Sequence, residues 1–272
     1  MKGKYKLAIL VVVILLIAGF MIFAPGAEKH NNIAIAGSTS VQPVAEKLAT
    51  TYMENDSVDK LTVQGGGSSM GLNSVKKGSA QIGTYSSKLS SKKAGANVTQ
   101  TQIATDGIAI IVNPSNNVSD LTKDQVKDIF TGKITDWSQV GGSPGKINVI
   151  TREEGSGTRD AITKVVLDDE DFVSNAVVQS STGSLMQSIS TDDKAIGFAS
   201  LSDLRENQVK KLKINGVEAN DQTIKDGSYV VQRPFLFLTN KTPDNATQAF
   251  INWTLSDEGQ QIVAEEGLVP VN

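Results

Sequence analysis

With 272 residues, 26 basic against 29 acidic side chains and a net charge of −3, the chain is long enough for a substantial core in one or two domains. It has no cysteine, which excludes disulfides, metal–thiolate sites, a thiol nucleophile and a lipid-modified N-terminal Cys. Aromatic residues at 5% and the lack of a basic run argue against an aromatic-lined sugar or nucleobase site and against a nucleic-acid partner.

Lys2, Lys4 and Lys6 precede an apolar run from Leu7 to Ala24 that only Gly19 interrupts. Residues 1–27 therefore read as a signal peptide or an N-terminal membrane anchor. The run is just long enough to span a bilayer, and the cleavage signal around Phe23–Ala27 is poor, so the reading favours an uncleaved anchor. The basic flank stays inside, which places the chain after about Glu28 outside the cytoplasm, on the cell surface or in a periplasm. This exported part is more acidic than the whole, because residues 1–27 hold three basic residues and no acidic one. An anion bound there has to be held by local geometry against the net charge.

After the anchor, Ile33–Ala36 reads as a strand and Gly37-Ser38-Thr39-Ser40-Val41-Gln42-Pro43 as a turn. Val44, Leu48 and Tyr52 then recur at helical spacing over Pro43–Met53. The pattern repeats: strand Leu61–Val63, turn Gln64-Gly65-Gly66-Gly67-Ser68-Ser69-Met70-Gly71, helix to Lys77. It returns at Ile147–Ile150, where the turn Thr151-Arg152-Glu153-Glu154-Gly155-Ser156-Gly157-Thr158-Arg159 leads into a helix over Asp160–Leu167. A strand that stops at small hydroxylated residues and starts a helix gathers free backbone N–H groups at the positive end of a dipole, where an anion binds. Hydroxyls at Ser156 and Thr158, close backbone approach at Gly155 and Gly157, and the permanent charge of Arg152 suit that purpose. The same residue types also serve as ordinary helix caps. A nucleotide is not indicated: neither G-x-x-x-x-G-K-[ST] nor G-x-G-x-x-G occurs, and Gly132-Lys133-Ile134-Thr135 lacks the upstream glycine.

The remaining elements follow in order. Ile82-Gly83-Thr84-Tyr85-Ser86-Ser87-Lys88 is a fourth hydroxyl-rich piece after a short strand, and Asp106 stands at the mouth of a buried strand, Ile108–Val112. Leu121–Phe130 is helical, with Trp137 plugging the loop behind it. Val177–Val178 is a strand, Thr182–Ile189 a helix entered through Ser181, and Ala195–Ala199 another strand. Tyr229–Leu238 is extended, kept from helix by Pro234. One final helix is expected over Asn245 to about Glu265, burying Phe250, Ile251, Trp253, Leu255 and Ile262. Alternating short strands and helices give an α/β fold with sheets covered by helices.

Several of these segments together resemble one family, the periplasmic or extracellular phosphate-binding proteins of ABC-type phosphate transporters. They are Ala36–Pro43, Gly67–Gly71, Asp106–Ala109, Ile129–Trp137, Arg152–Arg159 and Ser256–Gln260, in the family's order over nearly the whole exported chain. The resemblance implies a two-lobed periplasmic-binding-protein-like fold, with the ligand cleft between lobes joined by two crossing strands near Val112–Pro114 and Tyr229–Pro234. One lobe is then 31–112 with 231–272, and the other 113–230. It further implies that phosphate is held by Thr39, Ser40, Ser68, Arg152, Ser156, Gly157 and Thr158. At Tyr85-Ser86-Ser87 the chain departs somewhat from the family's spacing; Ser86 is the better match and Ser87 the alternative. Some members carry an acidic ligand at the position of Ser86. This chain has none there, and Asp106 is the residue expected to accept the proton of phosphate and repel sulfate.

The expected work is capture of inorganic phosphate by lobe closure and delivery to the permease of an ABC importer, by a monomer tethered through its N-terminal segment. No cofactor, metal or catalytic residue is expected. Three other readings stand beside this one, the third an anchored phosphate sensor with no transporter. The same fold could bind sulfate, molybdate or another oxyanion, separated from phosphate mainly by Asp106. An extracellular phosphoester hydrolase would need a base or a metal, and the one histidine, His30, lies next to the anchor.

Overall fold

The computed structural model describes residues 31–272, apart from Ser57 and residues 205–207. The expected signal or anchor at 1–27 and His30 lie outside the described residues, among which no helix is long and apolar enough to cross a membrane.

The chain is mixed α/β, as the alternating pattern implies. Its first part runs β1 (Asn31–Gly37), α1 (Gln42–Asp56), β2 (Asp59–Gly65), α2 (Ser68–Lys77), β3 (Ile82–Tyr85), α3 (Ser91–Ala94) and β4 (Val98–Val112). Next come β5 (Asp120–Leu121), α4 (Lys123–Thr131), β6 (Asn148–Arg152), α5 (Gly157–Val165), β7 (Val177–Gln179), α6 (Thr182–Thr191) and β8 (Ala195–Ser200). The last part holds β9 (Lys210–Lys211), β10 (Lys213–Ile214), α7 (Asp221–Lys225), β11 (Gln232–Asn240), α8 (Asn245–Thr254) and α9 (Asp257–Glu265).

One nine-stranded sheet has the order β2-β1-β3-β11-β4-β8-β6-β7, with β9 on β4. The β1–β3, β6–β7 and β6–β8 pairs are parallel, whereas β11 is antiparallel to both β3 and β4. Strand β4 changes partner along its length. Val98–Gly107 pairs with β11, and Ile108–Val112 pairs with β8.

The apolar core changes at the same place. Ile33, Ile35, Leu48, Ile103, Ala104, Phe235, Phe237 and Phe250 belong to one cluster. Ile108–Val112, Ile129, Phe130, Trp137, Ile150, Phe198, Tyr229 and Val231 belong to another. The exchange falls between Ala104 and Ile108 on β4 and between Val231 and Phe235 on β11. Asp106 and Arg233 face each other there in register.

Local chemistry explains where elements begin and end. Helix α4 starts two residues later than the periodicity suggests, because Thr122 and Gln125 form a capping box and Leu121 is taken by the β5–β10 pair. Helix α5 starts earlier than expected, at Gly157, because Ser156 caps it. The expected single C-terminal helix is two helices. Ser256 accepts from the Gly259 N–H and caps α9, with Asp257 and Glu258 in its first turn, so the chain breaks at Leu255. As a result Trp253 and Leu255 pack at the edge of the first cluster and are only partly buried. Trp137 plugs its loop as expected: it is 1% exposed, and its Nε1 donates to the Lys194 carbonyl at 3.0 Å.

Candidate functional site

Four helices begin in one region, and each contributes a residue from its cap or first turn. The turn before α1 carries Ser38, Thr39 and Ser40, Ser68 opens α2, Thr158 is the second residue of α5, and Thr182 opens α6. Helix N-termini present unpaired N–H groups and the positive end of the dipole, so their convergence makes a field that favours an anion.

Close backbone packing holds the turns together. Ser38 N donates to Thr84 O at 3.1 Å, Gly67 N to Gly37 O at 2.9 Å and Ser69 N to Gly155 O at 3.0 Å. Gly37 has φ 144°, and a Cβ there would collide with the Thr84 carbonyl, so only glycine lets β1 and β3 approach this closely.

Hydroxyls meet across this packing. Ser38 Oγ donates to Ser86 Oγ at 2.8 Å, and Ser68 Oγ lies 3.3 Å from Ser86 Oγ while accepting from Ser86 N at 3.1 Å. Ser40 Oγ lies 3.0 Å from Thr158 Oγ1 and 3.1 Å from Thr182 Oγ1, and Thr39 Oγ1 is 3.3 Å from the same Thr182 hydroxyl. Gly157 sits against Ser68 and Ser86, where a Cβ would strike both hydroxyls. A hydroxyl both donates and accepts, so such a cluster can match an oxyanion that still carries a proton.

Two guanidinium groups back the hydroxyls. Arg152, 2% exposed at the end of β6, donates from Nη1 to Thr182 Oγ1 at 3.1 Å. Its Nε and Nη2 meet the Glu153 carboxylate at 2.9 and 3.0 Å. Arg233, 3% exposed on β11, donates from Nη1 to Thr158 Oγ1 at 2.6 Å and to Ser86 O at 3.1 Å. Burial pulls the Arg233 pKa down from its ordinary value; Asp106 opposes this, and the nearby charge of Arg152 adds to it. Arg159 supports the turn by donating from Nη1 to Arg152 O at 2.9 Å.

The structure brings together Thr39, Ser40, Ser68, Ser86, Arg152, Gly157 and Thr158 of the expected set. Ser156 is engaged as the cap of α5, its side chain accepting from Arg159 N at 3.3 Å. Ser87 turns to Asp160, which leaves Ser86 as the hydroxyl of that pair within the cluster. Asp106 does not offer a free carboxylate to the cleft. It is 1% exposed, Oδ1 accepts from Ser200 Oγ at 2.7 Å, and Oδ2 accepts from Arg233 Nε at 2.8 Å. Burial pushes this carboxyl up from its ordinary range, while Arg233 and Ser200 pull it back. Asp106 reaches the cluster through Arg233.

Sequence reasoning missed Ser38, Thr182 and Arg233 as site residues. Thr182 had a signal, since Ser181-Thr182-Gly183-Ser184 follows a strand and starts a helix like the other turns. Arg233 had a fainter one, a charge inside an otherwise apolar extended segment. Among the described residues, no three His, Cys, Asp or Glu side chains are grouped to hold a metal ion.

The fold and this site define a class. A family model described as a PBP superfamily domain matches residues 24–258. The phosphate-binding protein PstS of Bacillus subtilis is 32% identical over 253 residues, covering 91% of this chain and 84% of its own. Among solved structures, that of a phosphate ABC transporter substrate-binding protein from Clostridium perfringens, with bound phosphate, matches at TM-score 0.86 and 37% identity. The match covers 89% of this chain and all of that one. An ABC-type phosphate transport receptor from Vibrio cholerae matches at TM-score 0.73 and 32% identity, covering 87% of this chain and 99% of that one. The chain belongs to the PstS-like family of phosphate-binding proteins.

Proposed function

We propose that this protein captures inorganic phosphate outside the cytoplasm and hands it to the permease of an ABC importer. The observation that carries the reading is the convergence of seven hydroxyl side chains and two buried arginines at the first turns of four helices. The proposed ligands are Thr39, Ser40, Ser68, Ser86, Arg152, Gly157 and Thr158, with Thr182 added. Ser156 contributes as the cap that aims the Gly157 and Thr158 N–H groups. Asp106 contributes through Arg233.

Capture proceeds by closure of two lobes, expected at 31–112 with 231–272 and at 113–230, and redrawn by the exchange of cores as 31–106 with 232–272 and 107–231. The hinge on β4 is drawn back to Asp106–Gly107, where the strand leaves one core for the other. The two hydroxyl contacts of Ser40, with Thr158 and Thr182, then link one lobe to the other and tighten on closure. Donors from both sides replace the water of a dehydrated anion, and their cost of orientation is met beforehand by the turns. The closed surface is what the permease reads. The chain works as a monomer, tethered by its N-terminal segment, and does no chemistry on its ligand.

Hydroxyls dominate the site. They can accept the proton of hydrogen phosphate as well as donate to its oxygens, so the site accommodates an oxyanion that is still protonated. Calorimetric titration of the full chain with phosphate, then sulfate, then molybdate tests the reading. One-to-one phosphate binding without a sulfate response is the expected result. Heat with sulfate or molybdate alone would change the ligand, and silence with all three would refute a binding protein for small oxyanions.

A further inference from the structure

Arg233 stands on β11 directly across from Asp106 on β4, where the two apolar cores meet. The carboxylate holds one edge of the guanidinium: Nε donates to Asp106 Oδ2 at 2.8 Å, and Nη2 lies 2.8 Å from the same oxygen. Ser200 holds the carboxylate in turn, at 2.7 Å. The other terminal nitrogen, Nη1, is spent on Ser86 O and Thr158 Oγ1, so Arg233 ties β11 to the residue that follows β3 and to α5.

Hydrogen-bond chemistry sets a direction. A guanidinium donates only, so Thr158 Oγ1 must accept from Arg233, and the single hydroxyl proton of Thr158 is turned away from it. The next oxygen is Ser40 Oγ at 3.0 Å, inside the cluster. Arg152 does the same to Thr182, whose proton is turned toward Thr39 at 3.3 Å or Ser40 at 3.1 Å. Two arginines, reaching the cluster from different strands, each stand behind one threonine, and the two threonines meet at Ser40. A hydroxyl that accepts from a cation is also the stronger donor.

We propose that Arg233, oriented by Asp106, is a positioning residue of the anion site: it commits the Thr158 hydroxyl to donate into the cluster, as Arg152 does for Thr182, and sets a buried positive charge behind it. This rests on the phosphate reading and adds to it a residue that reaches the ligand through another side chain. It also gives Asp106 a part in the site that needs no contact with the ligand.

The test is a cycle of calorimetric titrations of the full chain with inorganic phosphate. Asp106→Asn/Arg233→Gln replaces the buried ion pair by a neutral pair of similar size, an exchange that folded cores tolerate. It is expected to weaken phosphate binding on the order of tenfold to a hundredfold, the effect of losing a hydrogen bond from a charged group. In a Thr158→Val background the same exchange is expected to cost less than about threefold, because the hydroxyl it acts through is gone. A merely structural role would lower the melting temperature but leave equal costs in the two backgrounds. Equal costs, or a double variant that binds phosphate like the wild type, would overturn the inference and leave the phosphate reading standing. A wild-type chain that does not bind phosphate would overturn both. If the neutral pair does not fold, Arg233→Lys carries the same expectations in both backgrounds, since a lysine keeps the charge beside Asp106 but cannot hold both contacts at once.

Discussion

Gly157→Ala adds one methyl group where Gly157 packs against Ser68 and Ser86. A Cβ there would collide with Ser68 Oγ and Ser86 Oγ and lie 3.1 Å from the Ser86 carbonyl carbon. Relief therefore means turning both hydroxyls out of the cluster, which also gives up the 3.1 Å bond from Ser86 N–H to Ser68 Oγ. Overpacking of this kind costs about 1–3 kcal/mol, and each hydroxyl withdrawn from a ligand costs about 1 kcal/mol more. Together, at about 3–5 kcal/mol, these predict phosphate binding weaker by about a hundredfold to a few thousandfold. The variant should fold normally, because Ala is favoured over Gly in a helix by up to about 1 kcal/mol and the strain appears only when the turns close on one another. Calorimetric titration gives the affinity, and thermal melts without phosphate give the control. A Gly157→Ala chain that binds phosphate within about threefold of wild type would refute the packing argument, because the two hydroxyls would then have yielded to the methyl group without cost to the ligand.

Three further perturbations separate binding from folding. Thr182→Val keeps the shape but removes the acceptor of Arg152 Nη1 and a partner of Thr39 and Ser40, so phosphate affinity should fall about tenfold with little change in melting temperature. Trp137→Phe removes the indole donor to the Lys194 carbonyl, which still accepts from Asn148 N–H, and should cost about 1 kcal/mol in urea unfolding, with phosphate affinity unchanged. The Ser138 hydroxyl and N–H, with the Gly145 N–H, hold the Asp136 carboxyl below its ordinary value. A depressed acid contributes stability that is fully present above the unfolded Asp value of about 3.9 and is lost as pH falls through the lower folded value. Asp136→Asn should therefore melt below wild type at neutral pH, with the gap closing in acid. A gap that is constant with pH would show that the carboxylate charge is not what matters.

Much of the site was legible because its turns are local objects. Gly37–Ser40, Gly67–Ser69 and Gly155–Thr158 each announce a strand end, a close backbone approach and a helix start within a few residues, and the structure joins all three. Thr182 belongs to a turn of the same kind, read from the sequence only as the start of a helix that its neighbour Ser181 caps. Arg233 could not be read locally. Its meaning depends on Asp106, which is 127 residues away in the chain. The surroundings of Asp106 were hidden for the same reason: nothing near it in sequence shows that Ser200 and Arg233 occupy its oxygens. The C-terminal helix was misread as one because its apolar spacing continues through the break, while the cap at Ser256 and its bond from Gly259 decide where the axis changes.

What the sequence by itself determined is the set of elements, the hydroxyl-rich turns and Arg152, since helix periodicity, strand alternation and capping are governed by residues within one or two turns of each other. Only the tertiary structure decided which turns meet, which of Ser86 and Ser87 faces the cluster, and that a second arginine stands behind it. Those choices depend on strand pairing over long separations. The exchange of β4 from β11 to β8 at Asp106–Ile108 puts one buried acid opposite one buried base, and a charge buried there is tolerable only because its partner arrives from the far end of the chain.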